Sequence, residues 1–385
     1  MANLSRYSIF LLLLSTAVLV GIGLVMLTST SPWVEPEHLE YSHLKKQLMF
    51  LGLGVVASFT AAFTPLKVLE KYCWLFFFIA CALLALCYVP GIGVEVNGAA
   101  RWIKMPFLGQ FQPSELAKIA CVISMATWMT RHQTIPESFF KGYFWPLAIL
   151  AIPAVLIFGE TDMGTTAVVI GSAFLLLYVA GSRPSYLIIT GIAGFAFLFF
   201  YVVLEVDGGN RAARLLAFLD LEGTKLGYGL QQWRALLAFA SGSVEGVGLG
   251  NGAEKHGYLP FAHTDFIYPI IGEELGLKAT LGVIFAYVLI AFAGVLIASR
   301  SHTYFGSLLA IGLTANIVIP AVMNIGVTTA LLPNTGLPLP FVSYGGTNLI
   351  FTLVSVGLLA GIYFRSPNEV VTVVTTKRNR RIIRL

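Results

Sequence analysis

The sequence predicts an all-α polytopic membrane protein of about ten transmembrane helices, with a large extracytoplasmic loop between spans 7 and 8. Two observations lead there. Of the 385 residues, 57% are hydrophobic and only 11% charged, with a mean hydropathy of +0.82; soluble domains carry about 25% charged residues. Apolar runs of roughly 17–25 residues, the length a helix needs to cross a bilayer, recur along the whole chain. The shorter alternating segments of a transmembrane β-barrel are absent from the pattern.

The spans are expected at about 8–29, 47–64, 73–90, 113–130, 145–159, 164–181, 185–205, 267–297, 303–325 and 347–364. The first, from Ile9 to Thr28, is long enough to span and lacks a clear cleavage site, so it reads as a helix that stays rather than a signal peptide. The fifth and sixth are separated only by the short polar break Gly159-Glu-Thr-Asp-Met-Gly164. Arg6, Lys67, Lys71, Arg131, Lys141, Arg183, Arg300 and Arg365 fall on one set of helix ends, and Lys45, Lys46, Arg101 and Lys104 on the other. The positive-inside rule then places both termini in the cytoplasm, which an even number of spans allows.

Residues 1–365 read as one membrane domain and 366–385 as a cytoplasmic tail. The net charge of +5 gathers partly in that tail, at Lys377-Arg-Asn-Arg-Arg-Ile-Ile-Arg384. A basic cluster beside a last span suits anionic lipid headgroups better than nucleic acid. Cys73, Cys81, Cys87 and Cys121 lie in apolar stretches and read as small packed hydrophobes. No close-spaced set suits zinc, and His256 and His263 lack a third clustered ligand.

The loop at about 206–266 is long enough to be functional or disordered, and its Tyr228, Trp233, Phe239 and Tyr258 favour a packed, functional one. Arg211-Ala-Ala-Arg-Leu-Leu-Ala-Phe-Leu219 has helical spacing with one basic face that suits the membrane interface. Ser241-Gly-Ser-Val-Glu-Gly-Val-Gly-Leu-Gly-Asn-Gly252 holds too many glycines for a helix and reads as a compact loop.

Several polar groups sit where charge is costly. In Gln112-Pro-Ser-Glu-Leu-Ala-Lys118, Pro113 suits the first turn of a helix. Glu115 and Lys118 share a helix face, either as a mutual ion pair or as a polar cavity wall. Arg101 and Lys104 beside Trp102 are a candidate phosphate clamp or snorkelling anchors. Glu160 and Asp162 are two carboxylates between spans, in a solvated turn or a helix N-cap made by Asp162 or Thr161. Leu332-Pro-Asn-Thr-Gly-Leu-Pro-Leu-Pro-Phe-Val-Ser-Tyr-Gly-Gly346 cannot form a regular helix and is too apolar for an exposed loop, so it is expected to dip back against protein or a cavity. Asp265 follows a proline-containing loop and opens a nearly uncharged run. It is either a partly buried general base or a helix N-cap. Glu274 can pair with Lys278 four residues on.

Taken together, Asn97-Gly98 with Arg101-Trp102, Gln112-Pro-Ser-Glu-Leu-Ala-Lys118, Asp162-Met-Gly164, His263-Thr-Asp-Phe-Ile267, Gly272-Glu-Glu-Leu-Gly276 and Gly336-Leu-Pro-Leu-Pro-Phe-Val-Ser-Tyr-Gly-Gly346 resemble the SEDS family of cell-wall proteins, which includes RodA, FtsW and SpoVE. The resemblance covers essentially the whole chain. It implies a peptidoglycan glycosyltransferase that polymerises lipid II with inversion at the outer face of the bacterial cytoplasmic (inner) membrane, releasing undecaprenyl diphosphate. It maps the essential aspartate to Asp265 and a functional pair to Glu115 and Lys118, and it brings Ser343 of the Ser-Tyr-Gly-Gly segment into the substrate-binding set. The diphosphate would be stabilised by Arg101, Lys104, Lys118, Arg211 or Arg214, or by a bound divalent cation, Mg or Mn.

The partners implied are a class B penicillin-binding protein (a transpeptidase), the undecaprenyl diphosphate-linked glycan, and other divisome or elongasome membrane proteins. Gly336-Leu-Pro-Leu-Pro-Phe and Ile271-Gly-Glu-Glu-Leu-Gly lean towards the FtsW-like, division-type branch, with elongation and sporulation roles left open. A lipid II flippase or a scaffold are the alternatives from other classes, since broken segments and intramembrane charge also suit translocation. Two positions depart from the family pattern: Glu160-Thr161 stands where Gln-Pro is usual, and Phe261 where a glutamate is common.

Overall fold

The computed structural model describes residues 7–34, 41–96, 99–105, 109–203, 213 and 217–365. The proposed basic tail, Arg211 and Arg214 lie outside those residues. Each of the ten expected spans is occupied by a helix: α1 (Ser8–Val34), α2 (Ser42–Phe63), then after the short α3 (Leu66–Lys71), α4 (Cys73–Leu86), α5 (Pro113–Arg131), α6 (Trp145–Gly159), α7 (Met163–Val179), α8 (Pro184–Val203), and, after α9 (Leu230–Gly242) in the long loop, α10 (Ile267–Arg300), α11 (Tyr304–Thr328) and α12 (Gly346–Phe364). A π-helical turn at Phe139–Phe144 runs directly into α6. Among the described residues six helices are long and apolar enough to cross a membrane; Cys73–Leu86, Met163–Val179 and Pro184–Phe197 are apolar but shorter.

The pattern of exposure is that of a bundle in lipid. On α10, Leu277, Leu281, Phe285, Val288, Phe292 and Val295 are exposed at spacings of three and four, while Val283, Ala286, Tyr287, Ile290, Ala293 and Ile297 on the opposite side are buried. One stripe therefore faces hydrocarbon and the other faces protein. The centre is α5 and α11, buried around most of their circumference. Small residues let helices approach closely, as expected where lipid supplies no hydrophobic drive for association. On α12, a Cβ at Gly357 would lie 2.1 Å from the Ser58 carbonyl oxygen of α2.

The bundle is helical as expected, with one small addition. Between α4 and α5 runs a three-stranded antiparallel sheet, β1 (Gly93–Val96), β2 (Ala99–Met105) and β3 (Gly109–Phe111), in which Val94 faces Trp102 and Ile103 faces Phe111. The strands are only three to seven residues long and mix apolar with polar side chains, so they leave almost no trace in a hydropathy window tuned to long apolar runs.

From residue 217 onward the long loop is packed. The glycine-rich stretch after α9 is non-helical, as its composition requires, and it fits a break inside α10 at Gly276, whose φ of 76° lies in the left-handed region. That break frees the Glu273 and Glu274 carbonyls and the Leu277 amide from their helical partners. The loop supplies replacements: Val247 N donates to Glu273 O (2.9 Å), Gly248 N to Glu274 O (3.0 Å), and Leu277 N donates to Ser243 O (3.0 Å).

The same break overturns the expected Glu274–Lys278 pair. An i, i+4 pair needs continuous helix between its members, and Gly276 interrupts it. Glu274 instead binds Lys255 (Oε1–Nζ 2.6 Å), both fully buried, whereas the exposed Lys278 pairs with Glu245.

Replacing Gly276 by alanine would set a Cβ 2.4 Å from the Val244 carbonyl oxygen and 2.5 Å from the Gly246 nitrogen at a positive φ. Thermal unfolding of the purified protein is expected to show a loss of about 2–4 kcal/mol for Gly276→Ala. Lys255→Met, which strands a buried carboxylate, should cost about 3–5 kcal/mol, and Lys278→Ala should stay within about 0.5 kcal/mol. Equal effects for the two lysine variants would contradict the pairing described.

Candidate functional site

Asp265 ends the turn that leads into α10. Phe261 O accepts from Thr264 N (3.0 Å) and Phe266 N (3.2 Å), closing a tight loop around the aspartate. Phe261 adopts φ 61°, a strained conformation for a bulky residue. Phe266 rather than Asp265 is the N-cap of α10, and no side chain caps there. The aspartate is half-buried, the setting expected for it.

The second wall is the segment between α11 and α12, non-helical over residues 329–345 as its prolines require. Its backbone groups lie among protein side chains, which satisfy them one by one. Gln232 Nε2 donates to Val327 O and Leu332 O (2.8 Å each), and the Tyr287 hydroxyl donates to Pro340 O. Gln47 donates to Ser343 O (3.2 Å) and accepts from Gly345 N (3.3 Å).

Two further bonds join this segment to the aspartate's own turn. Ser343 Oγ donates to Thr264 O (2.6 Å), and Tyr344 N donates to His263 O (3.0 Å). Ser343 also accepts from Leu339 N (2.8 Å). Its hydroxyl is therefore a strut between the two segments, with both its donor and an acceptor site in use.

A third wall comes from the break between α6 and α7. Of the roles left open for this break, the structure takes the cap by Asp162 rather than Thr161: it accepts from Thr165 N (3.0 Å) and from the Thr165 hydroxyl (2.8 Å). Gly164 abuts the re-entrant segment, a Cβ there lying 3.1 Å from Thr335 O. Arg101 reaches across from β2: Nη2 donates to Thr161 O (2.8 Å) and Nε lies 3.8 Å from Asp162 Oδ2.

Lys104 lies three residues along the same strand. The β1–β2 register shifts at Arg101, so simple alternation does not set its face; Arg101 turns to Thr161 and Asp162, whereas Lys104 stands exposed. Glu115 and Lys118 do form a mutual ion pair (2.9 Å, 4% and 6% exposed) in the first turns of α5. They line a cavity of about 10 Å³ with Asn316, Thr352 and Ser355. A larger cavity of about 360 Å³ runs along α10 between Phe239, Tyr268 and Leu281, and no carboxylate lines it.

Some participants escaped sequence reasoning. Gln47, Gln232 and Asn324 are uncharged, so a search for titratable groups passes them by, although a buried amide within an apolar run is itself a signal. Glu160 was seen only as half of a polar break. It is 2% exposed, and no N–H or O–H group bonds its carboxylate oxygens; the Cys87 thiol lies beside them. Burial first, and the neighbouring Asp162 charge second, push its carboxyl from an ordinary 4.5 up to about 8; the Cys87 thiol and the Arg101 charge offset this only in part. Among the described residues no three His, Cys, Asp or Glu side chains converge as a metal cage.

Glu160 generates a pH dependence of determined sign. Between about 4.5 and about 8 the folded protein holds a proton there that the unfolded chain has released, so its contribution to stability is lost as pH rises through that window. Melting temperatures measured from pH 5 to 8.5 should fall for the wild type and fall less steeply for Glu160→Gln, which should be the more stable of the two at the alkaline end. Parallel curves would refute a buried, protonated Glu160.

Comparison with known proteins agrees with this architecture. Residues 10–367 match the model of the FtsW/RodA/SpoVE family, described as cell cycle protein. The chain is 36% identical over 365 residues to the probable peptidoglycan glycosyltransferase FtsW of Geobacter metallireducens, covering 94% of this chain and 96% of that one. It is 33% identical over 356 residues to stage V sporulation protein E of Bacillus subtilis, covering 91% and 96%.

Among solved structures it resembles a chain from work on the structural coordination of polymerization and crosslinking by a peptidoglycan synthase complex, with a TM-score of 0.76 and 27% identity over 92% of this chain and 96% of that one. The rod shape determining protein RodA of Thermus thermophilus superposes with a TM-score of 0.67 and 26% identity, over 92% and 96%. With the family's motifs lying along three walls of one site and its model matching nearly end to end, this chain belongs to the FtsW/RodA/SpoVE family, as a multi-pass membrane protein.

Proposed function

We infer that this chain is a peptidoglycan glycosyltransferase that joins lipid II units into glycan strands, with Asp265 as general base. The observation that carries the reading is the placement of Asp265. It is a half-buried carboxylate at the head of α10, in a turn tied to the re-entrant segment through Ser343 and Tyr344. A sugar hydroxyl is a poor nucleophile, and a fixed carboxylate within reach can take its proton as the new bond forms.

The acceptor would be the 4-hydroxyl of a GlcNAc on lipid II. Its oxygen bonds to the anomeric carbon of the lipid-linked chain, inverting that centre. The anomeric bond to the diphosphate breaks, its electron pair leaves on undecaprenyl diphosphate, and the proton passes to Asp265. Charge developing on the diphosphate calls for cationic stabilisation. Arg101 already neutralises Asp162 and Lys118 already neutralises Glu115, which leaves the exposed Lys104 as the candidate among the described residues; Arg211 and Arg214 of the expected set lie outside them. A divalent cation, Mg or Mn, finds no three-ligand protein cage among the described residues, and no step is assigned to one.

Translocation of lipid II is the weaker reading. The intramembrane pair Glu115–Lys118 is satisfied internally and the cavity beside it is about 10 Å³, room for about one water rather than a disaccharide headgroup. The partner expected from the chemistry is a class B penicillin-binding protein that crosslinks the new strand; a structural relative comes from a peptidoglycan synthase complex. Asp265 facing outward, with both termini cytoplasmic, is the orientation this reaction requires.

Purified protein supplied with lipid II and such a partner should make glycan chains. Asp265→Asn should lower the rate by about 10²–10⁴-fold with an unchanged melting temperature. Retained polymerisation by Asp265→Asn would rule out the general-base role, and lipid II translocation without polymer would favour a flippase.

A further inference from the structure

A general base must be held within about 0.5 Å of its productive position, and a loop turn does not do that alone. The group that reaches Asp265 from the rigid part of the bundle is Asn324, on α11. It is 2% exposed, and its Nδ2 donates to the carbonyl oxygens of both Asp265 and Leu337, 2.7 Å each. Both amide hydrogens are used, each on a different segment. The Asn324 Oδ1 is buried without a hydrogen-bond partner. The orientation is unambiguous, because the flipped amide would press its oxygen against two carbonyl oxygens. The side chain therefore acts here through its donors.

Leu337 is not an arbitrary second anchor. Its neighbour Gly336 has φ 67°, and a Cβ there would lie 3.4 Å from Asp265 Oδ2. The strand of chain that Asn324 pins is thus the one against which the carboxylate rests. We infer that Asn324 is the positioning residue for Asp265: one amide on a core helix fixes the spacing between the aspartate's backbone and the wall its carboxylate faces. The inference rests on the reading of Asp265 as general base.

Two roles can be told apart by which replacement is tolerated. Asn324→Leu keeps the branching and heavy-atom count and removes both donors. Asn324→Gln keeps both donors and adds a methylene. If the donors position the base, Asn324→Leu lowers kcat for lipid II polymerisation by about 10–100-fold, the size expected when a reacting group is displaced by about 1 Å, with KM within twofold. Asn324→Gln then recovers a substantial part of kcat. If Asn324 only fills space, Asn324→Leu is the better tolerated of the two, and that result overturns the assignment.

Gly336→Ala is the second test, carried out on the full chain with its partner. It adds a methyl group beside the carboxylate at a strained φ, and it should lower kcat and displace the acid limb of the kcat–pH profile while leaving KM alone. A wild-type kcat and acid limb in Gly336→Ala would likewise overturn the socket. A wild-type protein that makes no glycan chains overturns the polymerase reading and this assignment with it. A wild type that polymerises, with Asn324→Leu matching it, overturns the assignment alone.

Discussion

The constraint on which the rest of the structure depends is that backbone polar groups near a membrane must be paired within the protein. At Gly276 helix α10 stops satisfying its own carbonyls and amide, and the glycine-rich loop after α9 takes over that pairing. The side chains of the preceding glutamates complete the join. Glu274 binds Lys255, the Ser29 hydroxyl of α1 (2.7 Å) and Gly250 N (3.0 Å), while Glu273 accepts from Ala253 N (2.8 Å). A buried ion pair is tolerable only when its remaining donors and acceptors are also met, and here Lys255 Nζ further donates to Gly250 O and Ser29 Oγ, each at 2.7 Å. The loop that carries Asp265 is consequently fastened to two membrane helices.

The same rule shapes the other side of the site. Prolines keep residues 329–345 from forming a helix, so their backbone groups need partners from elsewhere, and Gln47, Gln232, Tyr287 and Asn324 provide them from four different helices. Satisfying an irregular segment and holding a carboxylate in place become one task. The aspartate inherits its rigidity from the pairing that the re-entrant chain required in any case. Charge is managed separately: Asp162 with Arg101, and Glu115 with Lys118, are each paired within the protein, whereas Glu160 avoids burial of a charge by holding its proton near neutrality.

Much of the architecture was legible in the residues. The apolar runs announced the membrane helices because a helix in lipid needs about 20 apolar residues in succession, and Pro113 and the 332–346 prolines marked a helix start and a break by local chemistry alone. Partner choice between charged groups was not legible. Glu274 and Lys278 have ideal spacing for a pair, and only a glycine conformation between them sends Glu274 to Lys255 instead. Arg101 and Lys104 read as a clamp from their spacing, but Arg101 is drawn to Thr161 and Asp162 while Lys104 stays exposed. The uncharged amides of Gln47, Gln232 and Asn324 carried no signal of which backbone groups they would serve.

The division has a physical basis. Hydropathy, proline and glycine act over a few residues, so the sequence by itself determined the membrane class, the positions of the helices, the irregular segments and the aspartate that the family resemblance marks. Hydrogen-bond and ion-pair partners lie tens to hundreds of residues apart, and what joins them is the packing of the bundle: Ser29 with Glu274, Gln47 with Ser343, Asn324 with Asp265. Only the tertiary structure decided those, because short-range forces act between whichever groups the folded chain brings within about 3 Å of one another.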